Sequence, residues 1–134
     1  MANINLQSLT NKMDQFMYFL YEQNIDLACV TEHWATYEIL ERINSQNHKF
    51  GNAFCRASSR HGGAAIIMRN DISFNELNEL RNLSFDKKIK IAAVRLNKLN
   101  IILIAIYRPP SSDIHPFLSI LDDVLESCYT EYCS

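Results

Sequence analysis

Three polar side chains stand at the ends of short strand-like segments. Asn5 follows Asn3-Ile4, Glu32 follows the run that ends at Val30 and Thr31, and Tyr107 closes the stretch Ile101 to Ile106. Strand ends beside loops are where a scaffold presents its working groups. A carboxylate there binds a hard cation or accepts a proton, while a phenol and a carboxamide donate to anionic oxygens. If the three strands align in one pair of sheets, the amide, the acid and the phenol meet at one rim. Taken singly, each has a plainer reading. Asn5 is then a turn residue, Glu32 a solvated loop acid and Tyr107 an aromatic with its hydroxyl in water.

The elements that must carry these residues alternate in type. Ile4 to Leu6 reads as the tail of a short strand. Ser8 or Thr10 can cap the next helix, where Met13, Phe16, Met17 and Leu20 form an apolar stripe. Asp26 to Val30 reads as a buried strand, Tyr37 to Ile43 as a helix, and Phe50 to Cys55 and Ala64 to Met68 as strands, with a loop over Ser58 to Gly63 between them. Ile91 to Leu96 and Asn100 to Ile106 make a hairpin, which Pro109 and Pro110 end because neither can donate to a ladder. Ser112 or Asp113 caps a last helix whose expected buried stripe is Ile114, Phe117, Leu118, Leu121 and Leu125. This order predicts mixed α/β layers rather than a parallel βα repeat.

Composition narrows the classes. The chain has 134 residues, 48% apolar and 21% charged, with three Gly and three Pro, which excludes collagen-like, linker-like and disordered chains. The longest unbroken apolar run, Ile101 to Tyr107, is far short of the roughly 20 residues needed to cross a bilayer. No charged-then-apolar leader opens the sequence, and the four cysteines form no Cys-x-x-Cys pair. The expectation is one domain with reduced thiols, intracellular, in cytoplasm or nucleus, without a structural zinc site. The net charge of −2 hides a division: residues 51–112 carry ten basic and four acidic side chains between two acidic ends. A basic middle can meet a polyanion, although charges also simply decorate solvated faces.

Four local strings then occur in order: Asn5-Leu6-Gln7-Ser8-Leu9, Thr31-Glu32-His33-Trp34, Arg60-His61-Gly62-Gly63-Ala64-Ala65-Ile66 and Tyr107-Arg108-Pro109-Pro110-Ser111-Ser112. Together they resemble the endonuclease/exonuclease/phosphatase superfamily. The match is best to the endonuclease domain of non-LTR (LINE-type) retrotransposons, which is similar to the apurinic/apyrimidinic endonucleases. The resemblance implies a four-layer α/β sandwich, incomplete here, with its site at one end. It implies that Glu32 binds a divalent metal, Mg²⁺ or Mn²⁺, that Asn5 supports the metal and phosphate region, and that Tyr107 contacts the scissile phosphate. The implied reaction is metal-dependent phosphodiester hydrolysis, nicking DNA. Arg56, Arg60 and Arg69, in a stretch without acidic residues, are candidates for backbone phosphates, or are an ordinary basic loop. His33 and His61 lie inside the matched strings but not at the family's catalytic-histidine position. His48 and His115 read as surface residues, and Trp34 as packing.

The family also carries a Gly-Asp-Phe-Asn block and a Ser-Asp-His block, which hold and deprotonate the attacking water. Neither is in this sequence. Asp122 and Asp123 belong to a helix face and do not replace them. Residues 1–134 therefore read as the N-terminal part of one such domain, weak or inactive alone. The complementary half, and a reverse transcriptase, would lie in the parental protein. The alternative is a non-catalytic remnant that at most binds nucleic acid or a partner. A phosphomonoester or phospholipid substrate is a third reading, which the Tyr107-Arg108-Pro109-Pro110 string opposes.

Overall fold

In a computed structural model, residues 1–45, 47–56, 62–85 and 87–133 are described, Cys133 by its backbone alone. The strands are β1 (Ala2–Asn5), β2 (Leu27–Thr31), β3 (His48–Phe54), β4 (Ala64–Arg69), β5 (Phe74–Glu76), β6 (Lys90–Leu96) and β7 (Ile101–Tyr107). The helices are α1 (Met13–Glu22), α2 (Tyr37–Glu41), α3 (Asn78–Arg81) and α4 (Ile114–Cys128), the last running on into a π-helical turn, Tyr129–Cys133. Thr36 and Asp113 cap α2 and α4 through their side-chain oxygens. A short 3₁₀ turn, Thr10–Lys12, leads into α1, with no side-chain cap from Ser8 or Thr10.

Two sheets form. The first runs β1-β2-β4-β3, with β1 parallel to β2 and the other pairs antiparallel. The second is the antiparallel sheet β5-β6-β7. The two-residue period of a strand divides the apolar residues between successive layers. Val30, Ala65 and Ile67 face outward, onto Phe16 and Leu20 of α1 and Leu40 of α2. Cys29, Ala64, Ile66 and Met68 face the other way and meet Ala92, Val94 and Leu96 of β6 between the sheets. Ile91 and Ala93 point out of the second sheet onto Leu80 of α3 and Phe117, Ile120 and Val124 of α4. The result is helix, sheet, sheet, helix: the expected four layers. Central strands buried on both faces are why β2, β4 and β6 read as continuous apolar runs.

A bulge at Gly51 and the side chain of Asn52 fix the spacing between sheets. A Cβ at Gly51 would stand 2.6 Å from Met68 Cε and 3.2 Å from Val94 Cγ1 of the second sheet, so the packing there leaves no room for a side chain. Asn52, fully buried, accepts the Ala93 N–H (2.9 Å) and donates to Glu76 (3.0 Å) and Asn78 (2.9 Å), tying the first sheet to the second.

Two expectations need correction. His48 is 4% exposed rather than a surface residue; it opens β3, and its Nε2 donates to the Ile25 carbonyl (2.9 Å). The buried stripe of α4 is Phe117, Ile120 and Val124, while Ile114, Leu118 and Leu125 stand exposed and Leu121 is half-buried. A helix with two apolar stripes can bury only the one that faces its sheet.

Candidate active site

The rim is set by strand direction. Because β1 and β2 are parallel, both end at the same edge, with Asn5 beside Thr31, and antiparallel β4 starts there at Ala64. Pairing continues past the strand ends. The Leu6, Ser8 and Leu9 N–H groups donate to the carbonyls of Thr31, Glu32 and His33, at 3.1, 3.0 and 2.8 Å. On the other side the Glu32 and Trp34 N–H groups donate to Gly63 and Gly62, each at 3.0 Å. Glu32 is thus held between two backbones.

It is held in an uncommon shape. Glu32 and Trp34 have φ of +57° and +53°, a left-handed conformation that costs a non-glycine residue about 1–2 kcal/mol. Non-glycine residues in this region collect at working sites, where the surroundings impose them. Gly62 and Gly63, at φ +90° and +99°, supply the accepting carbonyls. They are the seat of the Glu32 turn. A Cβ on Gly63 would collide with the His33 imidazole.

His33 is a structural residue. It is 1% exposed; its Nδ1 accepts the Ala35 N–H (2.9 Å), which leaves Nε2 to donate to the Phe54 carbonyl (3.0 Å). Burial lowers its pKa, so it stays neutral and locks the turn.

The Glu32 carboxylate meets side chains from both sheets. The indole Nε1–H of Trp34 donates to Oε2 at 2.7 Å. The Tyr107 phenol, from the end of β7 in the other sheet, comes close enough to that carboxylate to feel its charge. Partial burial first, then hydrogen bonding to Glu32 and its charge, push the Tyr107 phenol up to about 12, so its proton stays on at neutral pH. The acid and the phenol, 75 positions apart in sequence, do meet. Asn5 lies at the same rim with its side chain exposed. Strand alternation turns Asn5 toward the second sheet, since Ile4 packs on the helix side.

Of the three arginines, the structure brings Arg56 to this rim, its Cδ 2.7 Å from where a Gly62 Cβ would stand. Arg60 and His61 lie outside the described residues. Arg69 lies at the far end of β4, where its guanidinium meets Asn24 (2.8 Å) and Asp26 (3.2 Å). A stretch of like-charged residues that spans a whole strand puts its charges at opposite ends of the sheet. Two rim residues escaped the sequence reading. Lys90, 1% exposed, opens β6 directly opposite Tyr107, and its Nζ lies 5.6 Å from the Phe54 ring. Extending the hairpin register by one pair would have found it. Trp34, expected only to pack, also donates from its indole to Glu32.

Among the described residues no three His, Cys, Asp or Glu side chains gather as a metal cluster. The donor chemistry at the rim nonetheless fits a hard divalent ion. A carboxylate has about four acceptor positions, and Mg²⁺ accepts one or two carboxylates with the rest water and substrate oxygen. No helix among the described residues is long and apolar enough to cross a membrane.

No family model matches this sequence, and no curated protein does. Solved structures do. The endonuclease domain of TRAS1, a telomere-specific non-LTR retrotransposon, superposes with a TM-score of 0.64 at 15% identity, covering 91% of this chain and 51% of that one. The Xenopus laevis APE2 catalytic domain gives 0.55 at 14% identity, covering 94% and 54%. This chain therefore has the fold of these two domains, the endonuclease-type α/β sandwich, and spans about half the length of each.

Proposed function

We propose that residues 1–134 are the N-terminal part of a metal-dependent endonuclease domain of the retrotransposon type, and that its substrate is a DNA phosphodiester. The observation that carries this reading is the meeting of the Tyr107 phenol and the Glu32 carboxylate from the two sheets, at the rim where Asn5 and Arg56 also lie. The names of the two matched domains support the same chemistry.

Glu32, with Asn5 at its side, is the group that holds Mg²⁺ or Mn²⁺. Such an ion, when bound, polarises the phosphoryl group and steadies the leaving oxygen. Tyr107, kept protonated, donates a hydrogen bond to a non-bridging oxygen as charge grows there, and the Asn5 amide donates beside it. Arg56 holds a flanking backbone phosphate. What this sequence does not supply is the group that deprotonates water, since neither a Gly-Asp-Phe-Asn nor a Ser-Asp-His block is present. The 134-residue chain on its own is expected to bind DNA and to nick supercoiled plasmid at trace levels or not at all.

DNA binding by the chain tests the substrate class. With about three phosphates neutralised, affinity should fall a few tens of fold between roughly 50 and 200 mM salt, and Arg56→Ala should flatten the log–log slope by about one. Salt-insensitive binding, or none at low salt, contradicts the nucleic-acid reading. The missing acid–base blocks favour a second reading, a binding module without turnover, which cleavage by the complete domain decides against.

A further inference from the structure

We propose that Trp34 is a positioning residue: it orients the Glu32 carboxylate for a divalent cation, and its indole reports when that cation is bound. The proposal rests on the reading of Glu32 as a metal ligand and deepens it.

Trp34 is the single tryptophan of the chain, and its Nε1–H lies 2.7 Å from Glu32 Oε2. That is a short bond for an N–H donor, as expected when the acceptor is charged. Its backbone is bent to make the bond, with φ +53° held by the N–H bond to the Gly62 carbonyl. Glu32 at φ +57° is bent from the other side. A plain extension of β2 would run on without either left-handed residue; in the conformation adopted the indole and the carboxylate meet at 2.7 Å.

The choice of donor has a chemical consequence. Indole donates one hydrogen bond, accepts none and carries no charge. It fixes one carboxylate oxygen while leaving the negative charge intact. A lysine or arginine in that place would fix the same oxygen and oppose a cation. Partners of this kind, bonded to a metal ligand rather than to the metal, typically change metal affinity 10- to 100-fold when removed.

The test titrates the 134-residue chain with Mn²⁺, a paramagnetic quencher, reading tryptophan fluorescence and, in parallel, the electron-paramagnetic signal of free Mn²⁺. Saturable quenching is expected, and Glu32→Gln abolishes it. Trp34→Phe keeps a ring and loses the donor; its Mn²⁺ affinity, read from the free-ion signal, should drop about 10- to 100-fold with an unchanged unfolding midpoint. Equal affinity in Trp34→Phe and wild type overturns the positioning role alone. A wild-type chain that binds no Mn²⁺ at millimolar concentration defeats the metal reading of Glu32 and this proposal with it. A metal-free arm reads the indole N–H resonance by NMR. Glu32→Gln should move it upfield and speed its exchange, and an unmoved resonance overturns the proposal even where Mn²⁺ binds.

Discussion

Glu32 accepts from Trp34 two positions away and meets Tyr107 of the opposite sheet. The near partner is local geometry and the far one is tertiary structure, and the two differ in how well they could be foreseen. Asn5, Glu32 and Tyr107 were legible because each lies at or just past the end of a strand, and the end of a strand is visible in sequence. The Trp34 bond was not, because it depends on left-handed backbone at two residues that show no preference for it. Lys90 was missed because a buried lysine contradicts composition rules that hold elsewhere. Cys55 offers a test of side-chain burial at the end of β3. Burial pushes its thiol from 9.0 to about 12, with the positive charge of Arg81 pulling the other way. The folded state therefore favours the protonated thiol. The stability this contributes is fully present below pH 9.0 and is lost as pH rises toward 12. Urea midpoints of wild type and Cys55→Ala, followed from pH 8 upward, should converge above pH 9.0, by up to about 1 kcal/mol per pH unit. Parallel pH profiles would show that the thiol is solvated.

At the scale of elements, the strands were the readable part, since β2, β4, β6 and β7 are short apolar runs with polar ends. The orientation of α4 was not readable. Its sequence carries one stripe through Phe117, Ile120 and Val124 and another through Ile114, Leu118 and Leu125, about a quarter turn apart at 3.6 residues per turn. Only contact with β6 and β7 selects between them. The junction of β2 with β4 is where element geometry controls the site. Gly63 gives Glu32 its carbonyl partner, holds φ +99°, and leaves the room that the His33 ring occupies. Gly63→Ala should cost about 2–4 kcal/mol in urea unfolding, from backbone strain and the displaced imidazole together. The same variant should lose the Glu32-dependent Mn²⁺ response. A neutral Gly63→Ala would mean that the turn is not built as described.

At the scale of the whole molecule, the four layers are present, but one side of the second sheet is uncovered. β7 is an edge strand of uncharged residues, with Ile101 49% exposed, and Leu118 and Leu125 of α4 are 49% and 54% exposed. Edges and apolar stripes of this kind promote association. Sedimentation velocity of the 134-residue chain should show concentration-dependent self-association. Leu118→Lys with Leu125→Lys should reduce it at a cost within about 0.5 kcal/mol, whereas Val124→Ala, at a fully buried position, should destabilise by 1–2 kcal/mol or about that. A monodisperse wild type would mean that the exposed stripe is inert.

The account depends most on Glu32 and Tyr107 forming one working centre. The most direct measurement is nicking of supercoiled plasmid in Mg²⁺ by the domain completed with its C-terminal half, compared among wild type, Glu32→Ala and Tyr107→Phe. The expected losses are at least about 10²-fold for Glu32→Ala and roughly 10- to 10³-fold for Tyr107→Phe, with folding intact in both. A completed domain that does not nick, or that nicks equally well without the Glu32 carboxylate, would contradict the account.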